Sequence, residues 1–263
     1  MQQISYLSSP IPDINLISGC YKEFAFQKHY HLDYHFGLIV NGQQQFHLKG
    51  QNYTSGPGDL VLMPPDELHD GQARFDEGYE VKVLAVSAQW LSQLKPSNHQ
   101  GQLGFHSPIV QEPMLFRALL NTHLALSDEN ISALARDCLP HESFEQLLNR
   151  HAKPTCAYVQ PIGTKQLTQV RDYVMSHLDQ PIRLEQLAKL CDLSERQFQR
   201  LFKQATGMSP HAWLTRLRLE KSMALVKAGQ PSAQVALQTG FYDQAHFSKA
   251  FRNVYGISPS HIN

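Results

Sequence analysis

The sequence predicts a two-domain α+β protein. An antiparallel β-barrel with packed helices comes first, and an all-α domain with two helix-turn-helix motifs joined by a long helix follows. Three observations carry this reading. Short apolar or alternating runs (HFGLIV at 35–40, QFHLK at 45–49, DLVLM at 59–63, EVKVLAVS at 80–87) are separated by turn signals over the first hundred residues. After Pro108 the apolar positions fall at three-to-four spacing. Finally, Phe198, Phe202, Gly207, Ser209 and Pro210 recur 49 residues later as Phe247, Phe251, Gly256, Ser258 and Pro259.

Bulk composition agrees with two folded domains. The 263 residues suffice for two cores, and 42% hydrophobic with 17% charged residues suits a folded chain. The zero net charge conceals an asymmetry. Residues 165–263 hold 13 Lys+Arg against 7 Asp+Glu, whereas 1–164 hold 10 against 16. A basic C-terminal part beside an acidic N-terminal one predicts nucleic-acid binding confined to one end. Cys20, Cys138, Cys156 and Cys191 are scattered, form no CxxC pair and point to a reducing compartment. The start, MQQISYLSSPIPDINLI, has no basic segment leading into an apolar one, and no apolar run approaches the roughly 18 residues of a membrane span. A cytoplasmic protein without membrane contact is expected.

Within residues 1–107 the predicted strands are punctuated by Asn41-Gly42, Lys49-Gly50 and Gly56-Pro57-Gly58. His29, His31 and His35 share parity, so on one continuous strand they would project from the same face. His69 follows the DLVLM run and the Pro64-Pro65 break. These residues resemble the two motifs of the cupin family. His29, His31 and Gly42 fit the first, with His35 where cupins have Glu. Gly58, Pro64 and His69 fit the second, with Asp66 for its Gly and Ala73 for its Asn. The resemblance implies a small barrel with a pocket. In metal-holding cupins the matching positions bind a divalent ion, so His29, His31, His35 and His69 are candidate metal ligands, and neutral imidazole suits Zn, Fe, Ni or Cu. A metal-free effector site on His29, His31, Tyr34, His35, Phe46 and His69 is the other reading, and histidines that only serve barrel hydrogen bonds are a third. No cofactor is required by the sequence. Tyr30, Phe36 and Tyr53 add aromatic surface that core packing also accounts for. Acids in Glu67-Leu68-His69-Asp70-Gly71 would favour an amine- or hydroxyl-bearing ligand.

Residues 108–150 read as helices, with Met114, Leu115, Ala118, Leu119 and Thr122, then Phe144, Leu147 and Leu148, at helical spacing. Breaks are expected at Ser127 and Asp128 and at Leu139 and Pro140. This segment either closes the barrel or pairs in a homodimer. Residues 151–163, HAKPTCAYVQPIG, have two prolines and no periodicity and read as a linker.

Residues 164–263 carry the duplicated unit. A helix over 165–178 faces a core through Leu167, Val170, Val174 and Leu178. Leu184, Leu187, Ala188 and Leu190 mark a short helix, Cys191-Asp192-Leu193 the turn and Ser194 an N-cap. The next helix buries Phe198, Leu201 and Phe202 and offers Arg196, Gln197, Gln199, Arg200 and Lys203 outward. Arg and Gln make the bidentate contacts that read guanine and adenine. In the second unit Val235, Ala236 and Leu237 precede the Gly240-Phe241 turn, and Asp243 caps a helix offering Gln244, Ala245, His246, Lys249 and Arg252. Ahead of the readers the repeat offset is 48 (Ala188 to Ala236), so the second turn is one residue longer. A helix from 210 to about 228, with Trp213 in the core, spans roughly 28 Å and sets the distance between the readers.

Gly240-Phe241, Asp243-Gln244, His246-Phe247, Phe251 and the run from Gly256 to Pro259 resemble the signature of the AraC/XylS family of bacterial transcription factors over residues 165–262. Lys249 stands where Arg is commoner, and Ala245 implies that the second helix reads fewer base edges than the first. The resemblance implies a ligand-responsive, sequence-specific regulator. Its partners would be a double-stranded DNA operator, a small effector, a second copy of the chain and, for an activator, RNA polymerase. A metal-dependent cupin enzyme tethered to DNA is the runner-up, and no catalytic residue is predicted.

Overall fold

A computed structural model describes residues 3–94, 103–128, 130–154 and 162–262. The chain divides into two units, Met1–Thr155 and Cys156–Ile262. The first begins with nine strands: β1 (Gln3–Ser8), β2 (Ile14–Tyr21), β3 (Phe26–His29), β4 (Tyr34–Gly42), β5 (Gln44–Leu48), β6 (Gln51–Ser55), β7 (Leu60–Met63), β8 (His69–Ala73) and β9 (Tyr79–Val86). After the short helix α1 (Ala88–Ser92) come β10 (Leu103–Phe105), β11 (Ile109–Val110), the helices α2 (Pro113–Leu126) and α3 (Ala133–His151), and β12 (Ala152–Pro154). Among the described residues every strand pairing is antiparallel. One sheet runs β1-β2-β9-β4-β7-β11, a second β3-β8-β5-β6, and β10 pairs with β12. The predicted α+β class holds, but in place of a closed barrel the described strands form two larger sheets and a separate two-stranded pair.

Alternation along the strands gives the six-stranded sheet two buried faces. Tyr34, Phe36 and Leu38 of β4, Leu60 and Leu62 of β7, and Leu84 and Val86 of β9 pack with Trp90, Leu115, Leu119, Phe144, Leu147 and Leu148 of the helices. The residues of opposite parity, Ile39, Val61, Met63 and Val81, meet Phe46 and Leu48 of the four-stranded sheet. A period of two decides which side chains reach the helices and which reach the space between the sheets. Phe36 and Phe144 are fully buried with ring centroids 5.0 Å apart. Each such side chain contributes about 1.5–3 kcal/mol by leaving water.

The turn signals fall where the chain reverses or changes sheet. Lys49 and Gly50, between β5 and β6, both have positive φ, which suits a two-residue hairpin turn. Gly42, also at positive φ, ends β4 as the chain leaves one sheet for the other. Two expectations need correction. Helix α3 runs through Pro140 instead of breaking there, because packing holds it: Phe144, Leu147 and Leu148 are locked in the core, and the Thr122 hydroxyl reaches the Leu139 carbonyl at 3.4 Å. The segment 151–163 is not linker at its start. His151 completes α3, and Ala152–Pro154 pairs with β10, satisfying backbone groups that a free linker would leave to water. Residues 155–161 lie outside the described residues.

The second unit is helical: α4 (Thr164–Ser176), α5 (Leu184–Leu190), α6 (Glu195–Thr206), α7 (Pro210–Lys227), α8 (Ser232–Gln238) and α9 (Gln244–Tyr255), with a closing 3₁₀ turn at Pro259–His261. The repeat extends to the caps. Gly207 and Gly256, both left-handed, end α6 and α9. Ser209 and Ser258 then precede Pro210 and Pro259, each at the first position of the next element, where a missing N–H costs nothing. Phe198, Phe202, Phe247 and Phe251 are fully buried, and Trp213 packs edge-on against Phe202 at 5.3 Å. The reading of Trp213 as core is correct.

Two groups make this packing testable. His123 of α2 is buried, its Nε2–H donating to the Ile17 carbonyl at 3.2 Å while Nδ1 has no partner among the described residues. Burial, opposed by that hydrogen bond and aided by Lys82, pushes its pKa down from 6.5 to about 4. The folded value lies below the unfolded one, so this stability is whole above pH 6.5 and is lost as pH falls toward 4. Denaturant titrations across that range should show wild type losing up to about 3 kcal/mol relative to His123→Leu; parallel curves would refute it. The second group is Gly240. It has φ +73°, and an added Cβ would stand 2.1 Å from the Leu178 carbonyl oxygen. Gly240→Ala should destabilise the second unit by more than about 1 kcal/mol, read as an earlier thermal transition, and an unchanged transition would contradict this packing.

Candidate effector site and nucleic-acid interface

The predicted histidines come together, though not by sharing one strand. His29 ends β3, His31 lies in the connection, and His35 is on β4 in the other sheet. His29 is the register partner of His69 at the start of β8. The ring centroids of His29 and His69 are 4.3 Å apart, and His31 stacks on His35 at 3.5 Å with 14° between planes. One ring nitrogen from each of His29, His31 and His69 lies within 4.8 Å of the others. Two backbone features hold the group. Asp66, at φ +62°, turns the chain so that its N–H donates to the His31 carbonyl at 2.9 Å. This explains the substitution in the motif, since glycine or a short polar residue tolerates that conformation. The Nδ1–H groups of His29 and His69 donate to the Gln27 and Glu67 carbonyls, both at 2.8 Å. A carbonyl can only accept, so in the neutral rings the lone pair belongs to Nε2.

Aromatic rings continue from the histidines into the space between the sheets. Phe26 lies 5.5 Å from His29 and 5.0 Å from Tyr21, which lies 5.3 Å from Tyr79. Burial raises the pKa of both tyrosines far above the ordinary value, so they remain neutral phenols. Phe46 is in this same interior, stacked on Tyr53. Tyr34, expected in the effector site, lies elsewhere. It has the opposite parity to His35 and faces the helices, where its hydroxyl donates to the Leu103 carbonyl at 3.0 Å and accepts from the Leu103 N–H at 3.1 Å. Tyr34 fastens β10 and takes no part in the histidine group. Tyr21 and Phe26 were missed because β2 and β3 lack a clean alternating pattern, although Phe26 stands three residues before His29, and Tyr79 because it lies one residue before the EVKVLAVS run.

In the second unit all ten predicted contact residues are exposed: Arg196, Gln197, Gln199, Arg200 and Lys203 on α6, and Gln244, Ala245, His246, Lys249 and Arg252 on α9. Two carry local duties. The Gln197 Oε1 accepts from the Ser194 N–H at 3.1 Å and from its hydroxyl at 2.8 Å, closing a capping box. The His246 ring packs edge-on against Phe241 at 5.4 Å. That leaves four exposed candidate contact residues on each helix: Arg196, Gln199, Arg200 and Lys203 on α6, and Gln244, Ala245, Lys249 and Arg252 on α9.

The extra residue of the second turn has a definite place. Asp192 and Gly240 correspond, both with positive φ. Leu193 and Phe241 correspond as well, their N–H groups donating to the Ala188 and Ala236 carbonyls at 3.1 and 2.9 Å. The inserted residue is Tyr242. It is 90% exposed and directly precedes Asp243, whose carboxylate accepts from the His246 N–H at 2.7 Å to cap α9. The repeat arithmetic held the signal that could have found it.

The two motifs are tied to one another through α7, whose 18 residues span about 27 Å. Arg218 donates to the Gln180 carbonyl at 3.0 Å beyond α4 and packs beside Gly240. Buried Arg216 pairs with Glu220, and Glu220 accepts from the Tyr255 hydroxyl at the end of α9 at 3.2 Å.

Known proteins share this arrangement. Residues 11–144 match the family model of the AraC-like ligand binding domain, and 187–263 match a helix-turn-helix domain. The chain is 28% identical to the transcriptional activator RhaS of Klebsiella pneumoniae, over 90% of this chain and 87% of that one. It is 26% identical to the arabinose operon regulatory protein of Escherichia coli, over 86% and 79%. Among solved structures, apo ToxT from Vibrio cholerae superposes with a TM-score of 0.68 at 18% identity, covering 96% of this chain and 97% of that one. ToxT bound to an unsaturated fatty acid gives 0.63, also at 18%, over 99% and 95%. A ligand-binding domain joined to paired helix-turn-helix motifs, with regulators and not enzymes as relatives, places the chain in the AraC family of DNA-binding transcriptional regulators.

Proposed function

We propose that this regulator grips two successive major grooves with α6 and α9, and that a small molecule bound between the sheets of the first unit governs that grip. The observation that carries the reading is the duplicated motif on one rigid spacer: two exposed reading faces joined by α7. A spacer of about 27 Å accords with grooves roughly 34 Å apart, since the readers extend beyond its ends. Arg196, Gln199, Arg200 and Lys203 set sequence preference. Gln244, His246, Lys249 and Arg252 hold the second groove, where Ala245 offers a methyl for contact with thymine. Tyr242 adds to the second reader an aromatic ring that the first lacks, placed against the sugar–phosphate edge at the start of α9. Gln197 serves the cap first and the DNA second.

The effector site comprises His29, His31, His35 and His69 with Phe46 and the aromatic wall of Tyr21, Phe26 and Tyr79. The imidazoles beside this aromatic wall suit a small ligand that combines polar groups with an apolar body. ToxT in its fatty-acid complex shares the fold, and at that identity the likeness leaves the ligand class to the local chemistry. Relatives named as activators support activation through RNA polymerase, and α2 and α3 supply exposed Met114, Leu124 and Leu134 for pairing with a second copy. No helix among the described residues is long and apolar enough to cross a membrane, in keeping with a cytoplasmic site of action.

Selection of bound DNA from a random pool, with and without metabolite mixtures, tests this directly. The full chain should enrich a bipartite site. Arg200→Ala should bind it with about 1–3 kcal/mol less affinity and relax one base position in the first half. Tyr242→Ala should weaken binding across sequences without shifting preference in that half. An Arg200→Ala protein with unchanged affinity and preference would refute the assignment of α6.

A further inference from the structure

We propose that the second unit has a ligand site of its own, a cleft between α4, α7 and the end of α8. It takes a zwitterion with an apolar body, of the kind an aliphatic or aromatic amino acid supplies, and its occupation strengthens DNA binding. Every wall belongs to the second unit, so the site is separate from the effector space of the first. Three observations carry the assignment.

The first is size and lining. The cleft encloses about 540 Å³, within the roughly 300–1,000 Å³ of small-molecule sites. Met175 of α4, Leu178 just beyond it and Leu225 of α7 give it an apolar lining. The second is the distribution of polar groups. The hydroxyls beside the cleft are engaged within their own helices: Ser176 donates to the Asp172 carbonyl at 2.9 Å and Thr239 to the Val235 carbonyl at 2.7 Å. Asp179 and Lys221 are the charged residues of the lining, one carboxylate and one ammonium, and both are exposed. Among the described residues no ion pair or hydrogen bond engages either side chain. Opposite charges around an apolar lining match a ligand that carries both an ammonium and a carboxylate. A ligand with one charge would attract one of the two groups and repel the other. Gln238, also exposed, adds an amide that both donates and accepts.

The third is position. α4 opens the first motif, α8 belongs to the second, and α7 joins them. Leu178 lines the cleft, and its carbonyl is the atom that stands against Gly240. Arg218, which donates to the Gln180 carbonyl, packs on the same glycine. A ligand in the cleft therefore touches both motifs beside the contact that sets one against the other. DNA that engages both readers selects one arrangement of the motifs, and a ligand that bridges them favours the same one. Linkage then requires each to raise the other's affinity by one common factor.

The test is calorimetric titration of the full chain with L-leucine and L-tryptophan. Isopentylamine, 4-methylpentanoate, tryptamine and indole-3-propionate serve as analogues lacking one charge. At least one amino acid should bind with one-to-one stoichiometry and raise the unfolding temperature. Its single-charge analogues should bind at least about tenfold more weakly. Asp179→Asn and Lys221→Met should each cost about the same factor. Ala224→Phe, at an exposed position in the lining, fills the cleft and should abolish binding. Asp179→Asn, which changes one exposed side chain without changing its size, decides the matter if the bulkier substitution unsettles α7. DNA carrying the selected bipartite site should raise the affinity for the amino acid roughly fivefold or more. Absence of binding, or binding that survives Ala224→Phe or both charge changes, overturns the site. Equal binding of the single-charge analogues overturns the ligand class, and ligand affinity indifferent to DNA overturns the coupling. Binding of the DNA without any amino acid is measured in the same series, so failure of this site is distinguishable from failure of the two-groove reading.

Discussion

The fold of both units depends on a left-handed residue at a turn. Asp192 and Gly240 occupy the same place in the two helix-turn-helix motifs, and each reverses the chain so that a short helix packs against a reader. Asp66 does the same in the first unit, where its N–H holds the connection carrying His31. Such backbone costs most residues about 1 kcal/mol or more and is cheap for Gly and Asp. At Gly240 the constraint is double, because the Leu178 carbonyl and the Arg218 guanidinium leave no room for a side chain. The same close approach joins the second motif to the helix that opens the first. The distance between the readers is thus set by packing within one unit.

Duplication has not produced two equal readers. The shared parts are those that make a motif fold: two buried phenylalanines, a left-handed glycine at the helix end, then serine and proline. What differs lies on the surface. α6 exposes two arginines and spends a glutamine on its own cap, while α9 is capped by Asp243 and gains Tyr242. Both helices begin with a carboxylate near the dipole's positive end, Glu195 on α6 and Asp243 on α9, so the two readers differ in their other side chains. These surface differences underlie the proposal that one half-site is read closely and the other held.

Much of this was legible in the chain. The repeat, the capping serine, the glycines and the buried aromatics are local, and local rules found them. The four histidines were legible by motif, yet the geometric argument from one continuous strand was not right: the chain breaks after His29 and crosses to another sheet. Tyr34 was misplaced because it neighbours His35 in sequence, although strand parity puts the two on opposite faces of β4. Helix α3 runs through Pro140 because its neighbours hold it, a tertiary effect invisible to propensity. Strands β1, β2, β3, β6, β8, β10, β11 and β12 escaped the pattern. Several are short or edge strands whose register comes from partners distant in sequence.

The central claim is that one rigid spacer fixes the separation of two readers. Its most direct measure is affinity for a selected site whose two halves are moved apart by about half a helical turn, roughly 5 bp, and then by a full turn. A spacer such as α7, pinned by Arg218 and by the Arg216–Glu220–Tyr255 network, predicts that both insertions reduce binding to that of a single half-site. Affinity that recovers with the full turn, or ignores both insertions, would show that the readers move independently and would contradict the account.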